Sequence, residues 1–348
     1  GLADVAARFD GIRELAETFQ DYRLPVGEPF VSECVPWANP LAGGPLRVLV
    51  IEEGEAREAV ELAQRVEMDL DVCCVEKGVL MAYGAGAIMA RLARELPPYD
   101  VILLASPVRD PALMQTLKQN VRAGTGLVFI RRSGDRDAGA DLADALPETC
   151  DLAAAEPPPA RGVPWRHFPA ITDPPRSEPA VKGMGVAASP QAGGRVVELV
   201  YGGLVPLRRL LPRTGNNESD LPGWWDYAYS LLGKSLVYAA SRPAPASIGS
   251  LSAHPDRGQL VLGLVVTNAI RGWRLCVEWD DAGGLVRVPA TELPLSAGPG
   301  ETRIEIPVPP VQRRLQGLRL ANVRLKDGAG RVADWATAAF SVTGALQI

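Results

Sequence analysis

Residues 99–132, YDVILLASPVRDPALMQTLKQNVRAGTGLVFIRR, predict a strand, a helix and a second strand in direct succession. The two outer runs, YDVILLAS and TGLVFIRR, are rich in aliphatic residues, which is typical of strands covered on both faces of a parallel sheet. Between them, Asp110 is placed to cap a helix that begins at Pro111 and stops at Gly124. This succession with short links predicts two parallel strands joined by a right-handed crossover.

The same alternation extends in both directions from this unit. Upstream, LRVLVIE (46–52) and LDVCCVE (70–76) have the composition of strands, and EAREAVELAQRV (55–66) between them has that of a helix. Downstream, beyond a Pro-rich interval, GRVVELVYG (194–202) restores a strand and PGWWDYAYSLLGKSLVYAASR (222–242) predicts a largely buried helix. Together these elements predict an α/β fold with a flavodoxin-like, mostly parallel sheet covered by helices.

A change of period marks a second unit after RPAPAS (242–247). From there apolar and polar residues alternate with a period of two in short runs separated by turns, which is the pattern of antiparallel strands. The runs are QLVLGLVVTN, WRLCVEWDD, LVRVPAT, TRIEIPV, LRLANVRLKD and RVADWATAAFSVT. They predict an all-β domain, an antiparallel immunoglobulin-like sandwich.

The predicted domain organisation has three parts: an N-terminal helix and Pro-rich connector over 1–45, the α/β domain over 46–242 and the sandwich over 243–348. The helix is predicted from an apolar stripe at steps of three and four residues. The stripe consists of Val5, Phe9, Ile12, Leu15 and Phe19. This helix either packs on its own chain or docks onto a neighbouring domain.

Composition excludes several classes of function. The net charge is −5 at pH 7 and no run of Lys or Arg forms a stripe. The sequence therefore lacks the clustered positive charge that is typical of nucleic-acid-binding proteins. No apolar stretch approaches the length of about 20 residues that a membrane helix needs. No signal segment is recognisable either, and the compartment stays open. The 5 cysteines form no CxxC pair and only 2 histidines could assist them, so we expect neither a disulfide framework, nor a metal site, nor a cofactor.

The first block resembles the class I glutamine amidotransferase-like superfamily, particularly the branch with trehalose-utilisation (ThuA-like) proteins and the middle domain of some β-galactosidases. In chain order, the resemblance is carried by YDVILLASPV, VRAGTGLVFI, RHFPAI, AGGRVVELVYG and WWDYAYSLLGKSLVYAAS. The second block resembles the immunoglobulin-like or fibronectin-like sandwiches that often follow such domains. The resemblance implies a flavodoxin-like sheet with its crevice at the carboxyl ends of the strands, in a bacterial, carbohydrate-related multidomain protein.

Glutamine amidotransfer needs a cysteine thiolate on a tight strand-to-helix turn, activated by a histidine that a carboxylate orients. The corresponding strand end, FIRRSGD (129–135), contains no cysteine. Ser133 is a poor substitute, because a Gly-x-Ser-x-Gly turn requires glycines where this chain has Arg131 and Asp135. The sequence therefore predicts no catalytic nucleophile at this strand end.

A general base is equally hard to identify. His167 lacks the acidic residue that the family places two positions later. His254 has Asp256 at that spacing, but both lie in LSAHPDRGQ, a predicted turn of the sandwich. Cys150 follows a predicted helix rather than a strand, so it gains nothing from the turn geometry. We expect structural or surface roles for both histidines and a non-catalytic domain.

The ends of the predicted strands still bring charged and hydroxyl side chains to one edge of the sheet. The candidate ligand-binding residues are Glu52, Glu53, Ser106, Arg131, Arg132, Ser133 and Asp135. Guanidinium groups beside carboxylates form either an anion-binding lip or a self-neutralising surface network.

Three functions remain open at this point. The first is a non-catalytic binding or scaffold module in a bacterial multidomain protein, with a carbohydrate or small molecule as its ligand. The second is a hydrolase that acts on a sugar-like or amide substrate, with Glu52, Glu53 or Asp135 as acid or base. The third is an assembly module that pairs with a protein partner or a second copy through the N-terminal helix or an open sandwich edge.

Overall fold

The computed structural model describes ranges that cover both predicted units. These are residues 12–14, 34–52, 57–74, 92–105, 108, 110–132, 158–164, 184–190, 195–201, 210, 222–281, 288–314 and 316–343. Within them an α/β unit is followed by an all-β sandwich, as the two sequence patterns predict.

The α/β unit contains strands β1 to β7 and helices α1 to α3 within the described ranges. The strands are β1 (Ile12–Glu14), β2 (Leu46–Glu52), β3 (Met68–Cys74), β4 (Val101–Leu104), β5 (Gly126–Arg132), β6 (Met184–Pro190) and β7 (Arg195–Tyr201). The helices are α1 (Arg57–Arg65), α2 (Pro111–Ala123) and α3 (Pro222–Ala239), with a short 3₁₀ helix at Pro158–Ala160.

These strands form one sheet in the order β1-β3-β2-β4-β5-β7-β6. All neighbouring pairs are parallel except β6 and β7, which are antiparallel. Counted from β2, the five central strands follow the 2-1-3-4-5 order of flavodoxin-like sheets. The direction of winding reverses between β2 and β4, so the carboxyl ends of these two strands border the switch point where such sheets bind ligands.

Helix α2 follows the boundaries that its sequence predicts. Asp110 Oδ1 accepts hydrogen bonds from the backbone N–H groups of Ala112 and Leu113, both at 2.9 Å. At the other end Gly124 adopts a φ of 118°, a left-handed value that glycine reaches without strain. The helix buries its apolar stripe in a core layer on one face of the sheet, and α1 and α3 cover the other face.

The N-terminal helix prediction is wrong for the residues that the structure describes. Ile12–Glu14 forms β1 and pairs in parallel with β3, with Ile12 opposite Leu70 and Glu14 opposite Val72. The open edge of β3 offers backbone hydrogen bonds to an extended segment, and this tertiary interaction outweighs the helical pattern. The rest of the predicted helix, 3–11 and 15–20, lies outside the described ranges.

The sandwich consists of two antiparallel sheets within the described ranges. Its elements are β8 (Ala246–His254), β9 (Gln259–Val266), β10 (Ile270–Asp281), β11 (Val288–Ala297), β12 (Gly300–Pro307), α4 (Pro310–Arg314), β13 (Gly317–Lys326) and β14 (Val332–Val342). A four-stranded sheet, β11-β10-β13-β14, faces a three-stranded sheet, β12-β9-β8. The same division into four and three strands is found in immunoglobulin-like sandwiches.

Strand β8 lies outside the predicted runs. Its sequence, ASIGSLSAH, is rich in Ser, Gly and Ala, which have weak strand propensity. Residues 251–254, predicted as part of a turn, belong to the strand, and the turn itself occupies 255–258. Antiparallel pairing with β9, from Ala246 opposite Val266 to His254 opposite Gln259, compensates for the weak local preference.

The sandwich and the α/β unit share one hydrophobic core. Leu320 of β13 and Val332 and Trp335 of β14 pack in the core cluster that also contains residues of β2, α1 and α3. On the opposite face of the same strands, Val323 and Ala336 pack inside the sandwich. The central part of the four-stranded sheet is therefore covered on both faces.

Residues 34–45 lie between the two units. The fully buried Trp37 donates a hydrogen bond from Nε1 to the backbone oxygen of Asp226 in α3, at 2.7 Å. Ala38 forms a parallel bridge to Val66 at the end of α1, and Leu41 forms one to Val332 of β14. This part of the Pro-rich connector thus contacts both units through its backbone.

Candidate functional site

Glu52 lies at the carboxyl edge of the sheet, beside the switch point. It is the last residue of β2, stands opposite Cys74 of β3, and is 1% exposed. A buried carboxylate at a strand end is costly unless neighbouring groups stabilise it. Among the candidates from the sequence, Glu52 is therefore the residue that the structure places in the expected position with a described side chain.

The other candidates are only partly described. Arg131 and Arg132 end β5, in register with Val200 and Tyr201 of β7, and their side chains lie outside the described set. Glu53, Ser106, Ser133 and Asp135 are likewise outside the described ranges. The predicted convergence of these side chains with Glu52 therefore stays a prediction.

Helix α1 begins shortly after β2 and carries a charged stripe. Glu58, Glu61 and Arg65 are spaced at three and four residues, so they lie along one side of the helix. Glu58 is 9% exposed, and its Oε2 accepts a hydrogen bond from the backbone N–H of Leu210 at 2.7 Å. This bond ties the start of α1 to the connection that precedes α3.

Arg65 links the charged stripe of α1 to helix α3. Its guanidinium donates to the backbone oxygen of Glu61 at 2.9 Å and to Asp226 Oδ1 at 2.6 Å. The same guanidinium lies over the Tyr229 ring, with 4.3 Å from Cζ to the ring centroid. These contacts hold the buried ring of Tyr229 against α1.

The hydroxyl of Tyr229 is the unusual group of this cluster. The side chain is fully buried, and in the described part of the chain its Oη has no hydrogen-bond partner. Burial, reinforced by the negative charges of Glu61, Glu58 and Glu52, raises the pKa of Tyr229 far above its ordinary value of 10.0. The phenol therefore stays protonated, and its hydroxyl lies within the electric field of these carboxylates.

We call Glu52, Glu58, Glu61, Arg65 and Tyr229 the α1–α3 polar cluster. Only Glu52 belongs to the predicted site. The signal for the others was present in EAREAVELAQR, where charged residues at steps of three and four flank the apolar stripe. That spacing is also typical of a solvated helix surface, and only the packing of α3 shows that this side is covered.

The described groups Cys73, Cys276 and His254 lack the geometry of a nucleophile and its base. Cys73 is fully buried in β3, and burial raises the pKa of its thiol to about 11, so it is not a thiolate at neutral pH. Cys276 is buried on β10 of the sandwich. His254 ends β8, where its Nε2 lies 3.2 Å from Ser252 Oγ. Cys150 and His167 lie outside the described ranges.

The described residues contain no group of three or more His, Cys, Asp and Glu side chains that could hold a metal ion. Nor does any helix among them have the length and apolar character needed to cross a membrane.

No protein-family model and no curated protein matches the chain. Among solved structures, the C-terminal domain of wzt aligns at 11% identity and a TM-score of 0.23, over 30% of this chain and 76% of that one. An exo-chitosanase of Amycolatopsis orientalis in complex with PNP-β-D-glucosamine aligns at 18% identity and 0.24, over 32% of this chain and 13% of that one. OgpA of Akkermansia muciniphila, in complex with an O-glycopeptide, aligns at 8% and 0.23, over 89% and 94%. Similarity at this level carries no argument about function.

Proposed function

We propose that the chain is a non-catalytic, glutamine amidotransferase-like module that acts as a binding and scaffold part of a bacterial, carbohydrate-related multidomain protein. The observation that carries the proposal is the continuous core between the α/β unit and the sandwich. A scaffold has to hold its attached parts in a defined orientation, and a shared core with paired polar groups achieves this. A flexible linker would not.

The first polar connection of the junction joins α3, β14 and β8. Lys234 of α3 forms an ion pair with Asp334 Oδ1 at 2.9 Å and also donates to the backbone oxygen of Trp335. Asp334 Oδ2 in turn accepts from the backbone N–H of Ile248 at 2.8 Å. The Lys234 and Asp334 side chains are only 9% and 18% exposed, so the geometry of this pair resists small displacements of the two units.

A second connection lies near the start of α3. The Tyr227 hydroxyl and the Asn322 side chain of β13 are within hydrogen-bond distance, at 3.2 to 3.3 Å. Asn322 Oδ1 also accepts from the hydroxyl of Thr337 in β14 at 2.8 Å. One helical turn later, the Trp335 indole donates to Ser230 Oγ at 2.8 Å. Asn322 and Trp335 of the sandwich are thus paired with side chains of α3 rather than with solvent.

The close approach of α3 to its neighbours depends on a glycine. A Cβ atom at Gly233 would lie 2.7 Å from Val66 Cγ2 and 3.5 Å from the Trp335 ring. A larger residue would therefore push α3 away from Val66 at the end of α1, whereas the distance to Trp335 is an ordinary contact. This packing supports a fixed orientation of the two units.

Two edge strands of the sandwich, β11 and β12, favour a scaffold over self-pairing through those edges. Edge strand β11 contains Pro289 and Pro294, which cannot donate to a further strand. Edge strand β12 exposes Glu301, Arg303 and Glu305, and such charges oppose pairing with a second sheet.

The proposal is tested on the full chain in two ways. Ammonia release from glutamine and hydrolysis of a panel of nitrophenyl glycosides should remain at the buffer rate, because no nucleophile and base are expected. A thermal-shift screen against glycans and metabolites should identify a ligand for the binding role. Turnover that is lost in a Cys150→Ala variant would refute the non-catalytic assignment.

A hydrolase that uses Glu52, Glu53 or Asp135 is the second candidate, and the burial of Glu52 at the carboxyl edge of the sheet favours it. Two carboxylates in a dry cleft can separate in pKa and divide the roles of acid and base. Glycoside or amide hydrolysis that disappears in Glu52→Gln while the fold is retained would support this candidate against the scaffold.

A further inference from the structure

We draw no further inference here: the strongest candidate, the fully buried side-chain amide of Gln312 in the short helix α4 of the sandwich, has no hydrogen-bond partner among the described residues, but nothing in the described part of the chain shows what would bind to it.

Discussion

In the two sheets of the sandwich, the same alternation of apolar and polar residues leads to different burial of the polar side chains. In β12 of the three-stranded sheet, Arg303 and Glu305 alternate with the apolar residues Ile304 and Ile306 and are exposed. In β13 of the four-stranded sheet, Asn322 and Arg324 alternate in the same way but are 1% and 7% exposed. Alternation identifies a strand, but it does not say what covers the polar face.

Arg324 illustrates what burial requires of such a residue. Its guanidinium contacts Glu278 of β10 and donates to the backbone oxygen of Pro36 at 3.0 Å. The contact with Pro36 crosses to the connector that precedes the α/β unit. The polar face of the four-stranded sheet is therefore a junction surface, whereas that of the three-stranded sheet faces solvent.

The largest loss of stability is expected from a substitution of Trp335, in the core that the two units share. Trp335→Ala should lower the free energy of unfolding by about 4 kcal/mol, because it leaves a cavity in the shared core and removes the bond to Ser230. Val265→Ala, on the three-stranded sheet at 39% exposure, should change it by less than about 0.5 kcal/mol. Urea unfolding of both variants measures the difference, and equal effects would contradict the assignment of the junction.

The second largest loss of stability is expected when the buried ion pair between Lys234 and Asp334 is broken. Lys234→Ala should cost about 3 kcal/mol, because Asp334 is left largely buried without its counter-charge. Arg303→Ala, which breaks the exposed pair with Glu305, should cost less than about 1 kcal/mol. Thermal unfolding compares the two variants. If Lys234→Ala were as mild as the surface control, the pair would not hold the units together.

Alkaline pH tests the burial of the α3 tyrosines. Burial, the largest cause, raises the pKa values of Tyr227 and Tyr229 well above their ordinary value of 10.0. Since the unfolded phenols ionise first, the stabilisation is complete below about pH 10 and is lost as the pH rises further, by up to about 1.4 kcal/mol per unit for each tyrosine. Urea unfolding from pH 8 to 11 measures the loss, and the Tyr227→Phe/Tyr229→Phe double variant should show less of it.

The smallest change in stability is expected in the connection between β12 and β13. Gln312 in α4 is fully buried, and its Nε2 and Oε1 have no hydrogen-bond partner among the described residues. Gln312→Leu should raise the free energy of unfolding by about 1 kcal/mol, because it removes an unsatisfied amide. A lower Tm for this variant would indicate that the amide is satisfied by water.

Local patterns predicted much of the α/β unit for clear reasons. The cap at Asp110 and the stop at Gly124 act within a few residues, so α2 could be bounded from sequence. Strands β1, β6 and β8 were not predicted. Their sequences have weak or opposite preferences, and pairing with β3, β7 and β9 determines their conformation.

The residues of the candidate site also differ in whether the sequence could predict them. Glu52 could be predicted because it ends an unmistakable buried strand, and the carboxyl edge of the sheet follows from strand order. Arg65 and Tyr229 could not, because they are separated in sequence and come together only where α3 packs on α1. Neither residue carries a local signal for that contact.

The sequence by itself determined the different hydrophobic periods of the two units, the strand–helix alternation and the lack of a cysteine after β5. Each of these features depends on neighbouring residues. Only the tertiary structure decided that Asn322, Arg324 and Lys234 are buried and that the two units share a core. The physical reason is that the free energy of a polar group depends on whether a distant part of the chain replaces its water with a partner.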